Sequence, residues 1–298
     1  MSNLNSQFIT PPSEEEIVYP YRRVWFSLII EAGALFVICF ALLFSSAFIS
    51  IPEAFWLPVG IALALTPFAL WIVFSWSRER LALQPRQRLF PVVVLSALAA
   101  NALGYPLVFV WLDVDTWVTG RDLVELIVVY TLAMGIIPET LKYLVIRYVA
   151  WKDQFRDRYD AIAYGAASAI GYAVILNLWY VFEATPSPDI AAVRIAGVTL
   201  YGLFNSTIVA YGVGAIRLQR PSPLLVPGLI SVASLATGLL YTLRINLANT
   251  RLTLSVSFPR LLISFLLAVM LTGAIFSAMI FLFNTVERET TTRQDDVL

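Results

Sequence analysis

Glu139 and Lys142 stand three residues apart in the run Pro138-Glu139-Thr140-Leu141-Lys142, within a stretch otherwise apolar enough to sit in hydrocarbon. At this spacing the two side chains share a helix face, so each charge offsets part of the other's desolvation. The pairing matters because an ionisable group in mid-membrane costs about 2.5–3.5 kcal/mol on insertion scales. Pro138 leaves the carbonyl one turn earlier without its amide donor, which predicts a kink. A kinked helix with a charge pair suits a polar intramembrane cavity, and it also suits a structural contact between helices. Asn177 and the run Asn205-Ser206-Thr207 are the other polar interruptions. Serine and threonine can bond back to their own helix, whereas a buried amide requires a partner from outside it. Glu139, Lys142, Asn177 and Asn205 are therefore the candidate cavity residues, although for Asn177 a hydrogen-bonding contact between helices is the favoured role. Glu31 lies early in an apolar run without a local base and makes no catalytic motif.

The absent residue types limit the chemistry further. The chain has no histidine, the commonest general base and zinc ligand, and a single cysteine, Cys39, in an apolar run. A disulfide framework and a Cys-rich metal site are thereby excluded. With 59% hydrophobic and 13% charged residues and a mean hydropathy of +0.78, the chain departs from soluble domains, which run near ~45–50% apolar and ~25% charged. A single water-soluble globule is excluded. The 20 basic and 20 acidic residues balance, and the bases are scattered through short connections, so no nucleic-acid footprint exists.

The elements that position these residues are spanning helices, because hydrocarbon ~30 Å thick is crossed at ~1.5 Å per residue by ~20 apolar residues. Eight windows meet that length: Val24 to Ser46, Glu53 to Trp76, Leu89 to Leu112, Asp122 to Tyr148, Asp160 to Phe182, Ala191 to Ile216, Leu224 to Leu243 and Arg260 to Asn284. The expected fold is an all-α polytopic membrane protein with about eight transmembrane helices. Alternate connections place fourteen Lys and Arg on one side and five on the other, with Lys142 alone inside a span. The basic side is expected to be cytoplasmic, which puts both termini in the cytoplasm. Residues 1–23 carry Pro11, Pro12 and the acidic run Glu14 to Glu16 with no basic region before a short apolar core. They are read as a polar cytoplasmic tail rather than a cleaved signal. Residues 24–284 form one membrane helical domain, and residues 285–298 form a second polar cytoplasmic tail.

The fifth window opens with Asp160, placed to cap its helix, and continues with Ala161, Gly165, Ala166, Ala167, Ser168, Ala169 and Gly171. Such a small-residue face lets another helix approach closely. Across the fourth to sixth windows the chain resembles the PrsW family of intramembrane proteases, within the CAAX-protease and bacteriocin-processing superfamily. That family carries EExxK in one helix, then a segment like DGIVYGAAxGLGFAxxEN, then a helix with a histidine. Glu139 and Lys142 match the first motif, with Pro138 in place of its first glutamate. Asp160, Ile162, Tyr164, Gly165, Ala166, Ala167, Gly171, Ala173 and Asn177 match the second, and Tyr172 stands for the phenylalanine. Leu176 occupies the place of the glutamate before the asparagine, and the histidine position falls among Tyr201 to Asn205, none of which is histidine. The resemblance covers residues 130–215.

The resemblance implies a membrane-embedded peptidase with a zinc ion held by glutamate and histidine. Of those ligands only Glu139 is present, whereas a catalytic zinc keeps three protein ligands. No cofactor is therefore expected. The implied function is that of a catalytically inactive pseudoprotease that binds or scaffolds another membrane protein or peptide in the bilayer. One alternative is a metal-free, glutamate-dependent intramembrane peptidase with Glu139 as general base. Another is a transporter-like protein relaying charge through Glu31, Glu139 and Lys142. The expected location, from the resemblance and the absence of organelle signals, is the plasma membrane, as a multi-pass protein of a bacterial inner membrane.

Overall fold

The computed structural model describes residues 21–81, 85–118, 120–150, 155, 158–219, 224–248 and 258–295. The first 20 residues of the tail expected over 1–23, the bases Lys152, Arg156, Arg220 and Arg251, and the connection at Pro221 to Pro223 lie outside the described residues, while residues 21–23 already belong to the first helix. Every regular element among the described residues is helical, and eight helices are long and apolar enough to cross a membrane. They are α1 (Tyr21–Ser46), α2 (Glu53–Arg80), α3 (Leu89–Trp111), α4 (Leu123–Val149), α5 (Arg158–Ala184), α6 (Pro188–Gln219), α7 (Leu225–Ala248) and α8 (Phe258–Asp295). A short helix, Val114–Val118, joins α3 to α4. The final helix runs on through most of the segment assigned to the C-terminal tail.

The bundle is organised around α5 and α6. Within their apolar windows 78% and 89% of residues are buried, against 22–44% in the other six spans. In a bilayer the outer helices keep apolar side chains towards lipid, so only the central pair must satisfy neighbours on every side. α5 packs on α2, α3, α4 and α6, while α6 also meets α1, α7 and α8. The small residues explain how α5 tolerates so many neighbours. A Cβ at Gly171 would lie 2.9 Å from the Val93 carbonyl carbon of α3, and α4 crosses α7 with Gly135 against the Ser234 backbone. These approaches bring backbone onto backbone, which only glycine permits.

Three spans contain a proline and a widened turn. Buried Pro67 precedes a π-helical stretch at Ile72–Trp76, π-helices lie on both sides of Tyr105 before and after Pro106 begins its turn, and Thr131–Ile136 is π-helical just before Pro138. Proline has no amide to give to the carbonyl four residues back, and its ring crowds that carbonyl. Widening the turn relieves the crowding at Pro106 and Pro138, whose crowded carbonyls, those of Ala102 and Met134, lie in the π-helical stretches; the stretch after Pro67 lies beyond its carbonyl partner, Leu63. The break expected at Pro138 thus takes the form of a π-helical turn.

One expectation is corrected. α5 already begins at Arg158, so Asp160 sits inside the first turn rather than ahead of it as a cap. Its carboxylate is instead paired with Arg86, which also bonds Glu79 at 2.8 Å. Arg88 donates to the Val149 carbonyl at 3.0 Å and the Tyr164 hydroxyl to the Gln87 carbonyl at 2.5 Å. The α2–α3 connection is therefore tied to the ends of α2, α4 and α5, which fixes α5 beside α4, the helix that carries Glu139 and Lys142.

Candidate functional site

Glu139 and Lys142 lie in the α-helical half of α4 that follows the widened turn. Lys142 Nζ donates to Glu139 Oε1 at 2.6 Å, and the two side chains are 5% and 3% exposed. The pair is thus removed from water and must be satisfied within the bundle. Part of that satisfaction comes from α6, where Ser206 Oγ accepts a second bond from Lys142 Nζ at 2.7 Å. A serine at this position can bond back to its own helix, as Thr207 does to the Phe204 carbonyl at 2.7 Å, but Ser206 is turned to Lys142. A hydroxyl near an ammonium makes a charge-assisted bond, stronger than a neutral one, and so is drawn to it. The ring of Tyr172 also lies below Lys142 Nζ, with its centroid 5.9 Å away. The remaining Glu139 oxygen, Oε2, is buried without a hydrogen-bond partner.

Asn205, one residue before Ser206 on α6, projects towards α7. Its Nδ2 donates to Thr237 Oγ1 at 2.5 Å, and Thr237 Oγ1 donates to the Ala233 carbonyl at 3.0 Å. The single hydroxyl proton of Thr237 is spent on Ala233, so its oxygen must be the acceptor and Asn205 is oriented by that need. Asn205 Oδ1 is left buried and unpartnered.

Glu139, Lys142 and Asn205 share the wall of one cavity of about 30 Å³, room for roughly two water molecules. Four helices build it. α4 gives Met134 and Pro138 besides the charge pair, α5 gives Ala169, Tyr172, Ala173 and Leu176, α6 gives Val198, Tyr201, Gly202 and Asn205, and α7 gives Thr237 and Tyr241. Met134, within the widened turn at Thr131–Ile136, lines the wall one turn before Pro138. Asn177 is not part of the wall. Its Nδ2 donates to Thr199 Oγ1 at 3.2 Å and links α5 to α6. A step of one residue turns a helix by ~100°, so Leu176 faces the cavity while Asn177 faces away. Thr237 and Tyr241 were not among the residues singled out from the sequence, because α7 carries no charge or motif at these positions. A Thr and a Tyr four apart in an apolar span give no more than a weak signal for a shared face.

Glu31 belongs elsewhere. Ser75 of α2 donates its hydroxyl to Glu31 Oε1, and the contact lies between α1 and α2.

The donor set does not fit zinc. The cavity wall holds one carboxylate and no histidine or cysteine, and an ammonium lies 2.6 Å from that carboxylate. A bound lysine repels a dication and occupies the oxygen that would ligate it. Among the described residues no group of three His, Cys, Asp or Glu side chains comes together.

A family model described as PrsW family intramembrane metalloprotease matches residues 84–241, more than half of the chain. The match is wider than the resemblance over residues 130–215, taking in α3 and the part of α7 that carries Thr237 and Tyr241. No curated protein and no solved structure matches the chain.

Proposed function

Because the chain belongs to the PrsW family of intramembrane metalloproteases, we propose that it is a catalytically inactive member that holds another membrane protein or peptide instead of cutting it. The observation that carries this reading is the composition of the cavity wall. Leu176 stands in the wall at the place of the family's second-motif glutamate, and Glu139 is held by Lys142 and faces no second ligand of its kind. What is retained is the packing: the charge pair, the close helix crossings and the pocket between α4, α5, α6 and α7. A pocket built without its ligands is suited to binding. On this reading the protein works in the plasma membrane of a bacterium, with both termini in the cytoplasm.

The test is elemental analysis of the purified chain in detergent together with peptide digestion. No stoichiometric zinc is expected, and Glu139→Gln should alter neither metal content nor any product. One tightly held zinc per chain, lost in Glu139→Gln, would overturn the reading.

A second reading is supported by one specific observation. Glu139 Oε2 has no partner, and the adjoining cavity has room for water. A carboxylate with a free oxygen beside a water is the arrangement a general base needs. On that reading the protein is a metal-free, glutamate-dependent peptidase. It predicts that Glu139→Gln abolishes cleavage of a membrane peptide while leaving the fold intact.

A further inference from the structure

We infer that the cavity receives the carboxamide of an asparagine or glutamine set in the middle of a partner's transmembrane helix. The inference rests on the binding reading above and specifies what is bound. Its basis is a count of hydrogen-bonding groups left over in the wall. Glu139 and Asn205 are 2% and 1% exposed, and Glu139 Oε2 and Asn205 Oδ1 are both buried acceptors without a donor. Lys142 Nζ carries three hydrogens, of which Glu139 Oε1 and Ser206 Oγ take two. The Tyr172 hydroxyl is also buried without a partner, but its oxygen abuts Gly104 of α3, which is not part of the wall, so the wall presents two acceptors and one donor.

That set is complementary to a primary carboxamide, which offers two N–H hydrogens and one carbonyl oxygen. A backbone amide offers only one N–H, and a hydroxyl only one O–H, so each would leave an acceptor buried and unpaired. A free carboxylate offers no hydrogen at all. The size agrees as well, since the three heavy atoms of a carboxamide fill the space of roughly two waters. The depth agrees, because Glu139 and Asn205 lie well inside the spans Leu123–Val149 and Pro188–Ile216. A carboxamide at that depth in a partner helix has no water to bond and is driven towards a protein site. An approach exists at Gly202. It lines the cavity, it is only partly buried, and a Cβ there would meet no atom within 4 Å.

The experiment measures binding of synthetic peptides to the full chain in lipid nanodiscs by fluorescence transfer, at peptide loads low enough to prevent peptide self-association. The probes are leucine-rich spanning peptides of 21 residues, about the length hydrocarbon requires, with Asn, Ser or Leu at the central position and Asn near one end. The central-Asn peptide should bind about fivefold or more tightly than the Leu, Ser and end-Asn peptides. Gly202→Leu, which fills the open approach, should remove that advantage while the melting temperature stays unchanged. Asn205→Leu combined with Thr237→Val, which deletes an acceptor together with its support, should do the same.

Equal binding of the Asn and Leu peptides would overturn the carboxamide inference and leave the binding reading standing. Equal binding of Asn and Ser would overturn it too, as would an advantage that survives both variants. Binding of no peptide would overturn it outright. Cleavage of any peptide, read by mass, would instead defeat the binding reading itself.

Discussion

Lys142→Met strands Glu139 in a place where water cannot reach it, and the structure sets the scale of the damage. The pair is 2.6 Å apart with side chains 3% and 5% exposed, so nearly all of its attraction acts away from solvent. Removing one partner of such a pair typically costs ~3–5 kcal/mol. The upper end is capped, because a proton taken up from water at pH 7 discharges the stranded carboxylate at a cost of about 4 kcal/mol. Lys142→Met should therefore lose about 3 to 4 kcal/mol in reversible unfolding from mixed micelles. Glu139→Leu strands the ammonium and should lose a similar amount, softened by the bond Lys142 retains to Ser206. The double replacement removes both charges, and two well-packed apolar side chains in place of a buried pair are often neutral. Ser206 can then bond back to its own helix. With the double variant within about 1 kcal/mol of the parent, the cycle should yield a coupling of at least about 5 kcal/mol. The reasoning is refuted if both single variants unfold like the parent, or if the double variant loses the sum of the two.

Gly135→Ala should destabilise the bundle by about 1–3 kcal/mol, because its Cβ would lie 2.6 Å from Ser234 Cα and 2.7 Å from its carbonyl oxygen, neither of which can step aside. Gly33→Ala meets nothing within 4 Å on α1 and should be neutral or gain up to ~1 kcal/mol, and the same unfolding assay compares the two. With fourteen bases on one face and five on the other, reporter fusions at Leu298 and within Ala184 to Ile190 should report opposite sides of the membrane. Both reporters on one side would contradict the orientation.

The sequence by itself determined the spans, the type of fold and the charge pair. Spanning helices are legible because bilayer thickness dictates a length that no local packing can alter, and the eight windows coincide with the apolar spans of the eight helices to within a few residues. The Glu139/Lys142 pair is legible because i, i+3 geometry belongs to one helix and needs no neighbour. Pro138 marked the break in α4, although a chain of letters could not say that the turn would widen rather than bend. Only the tertiary structure decided the rest. It brought Ser206, 64 residues away, onto Lys142, and Thr237 onto Asn205. It put Asp160 on Arg86. It also chose Leu176 over Asn177 for the cavity wall. The two are adjacent in a helix buried on nearly every side, so no hydrophobic stripe tells which faces the pocket. Periodicity marks an inward face only when another face meets solvent, and in a bilayer the outer face is as apolar as the core. The direction in which α5 turns its residues is therefore set by the glycine crossings with α3 and α6, and these exist only once the helices have been brought together.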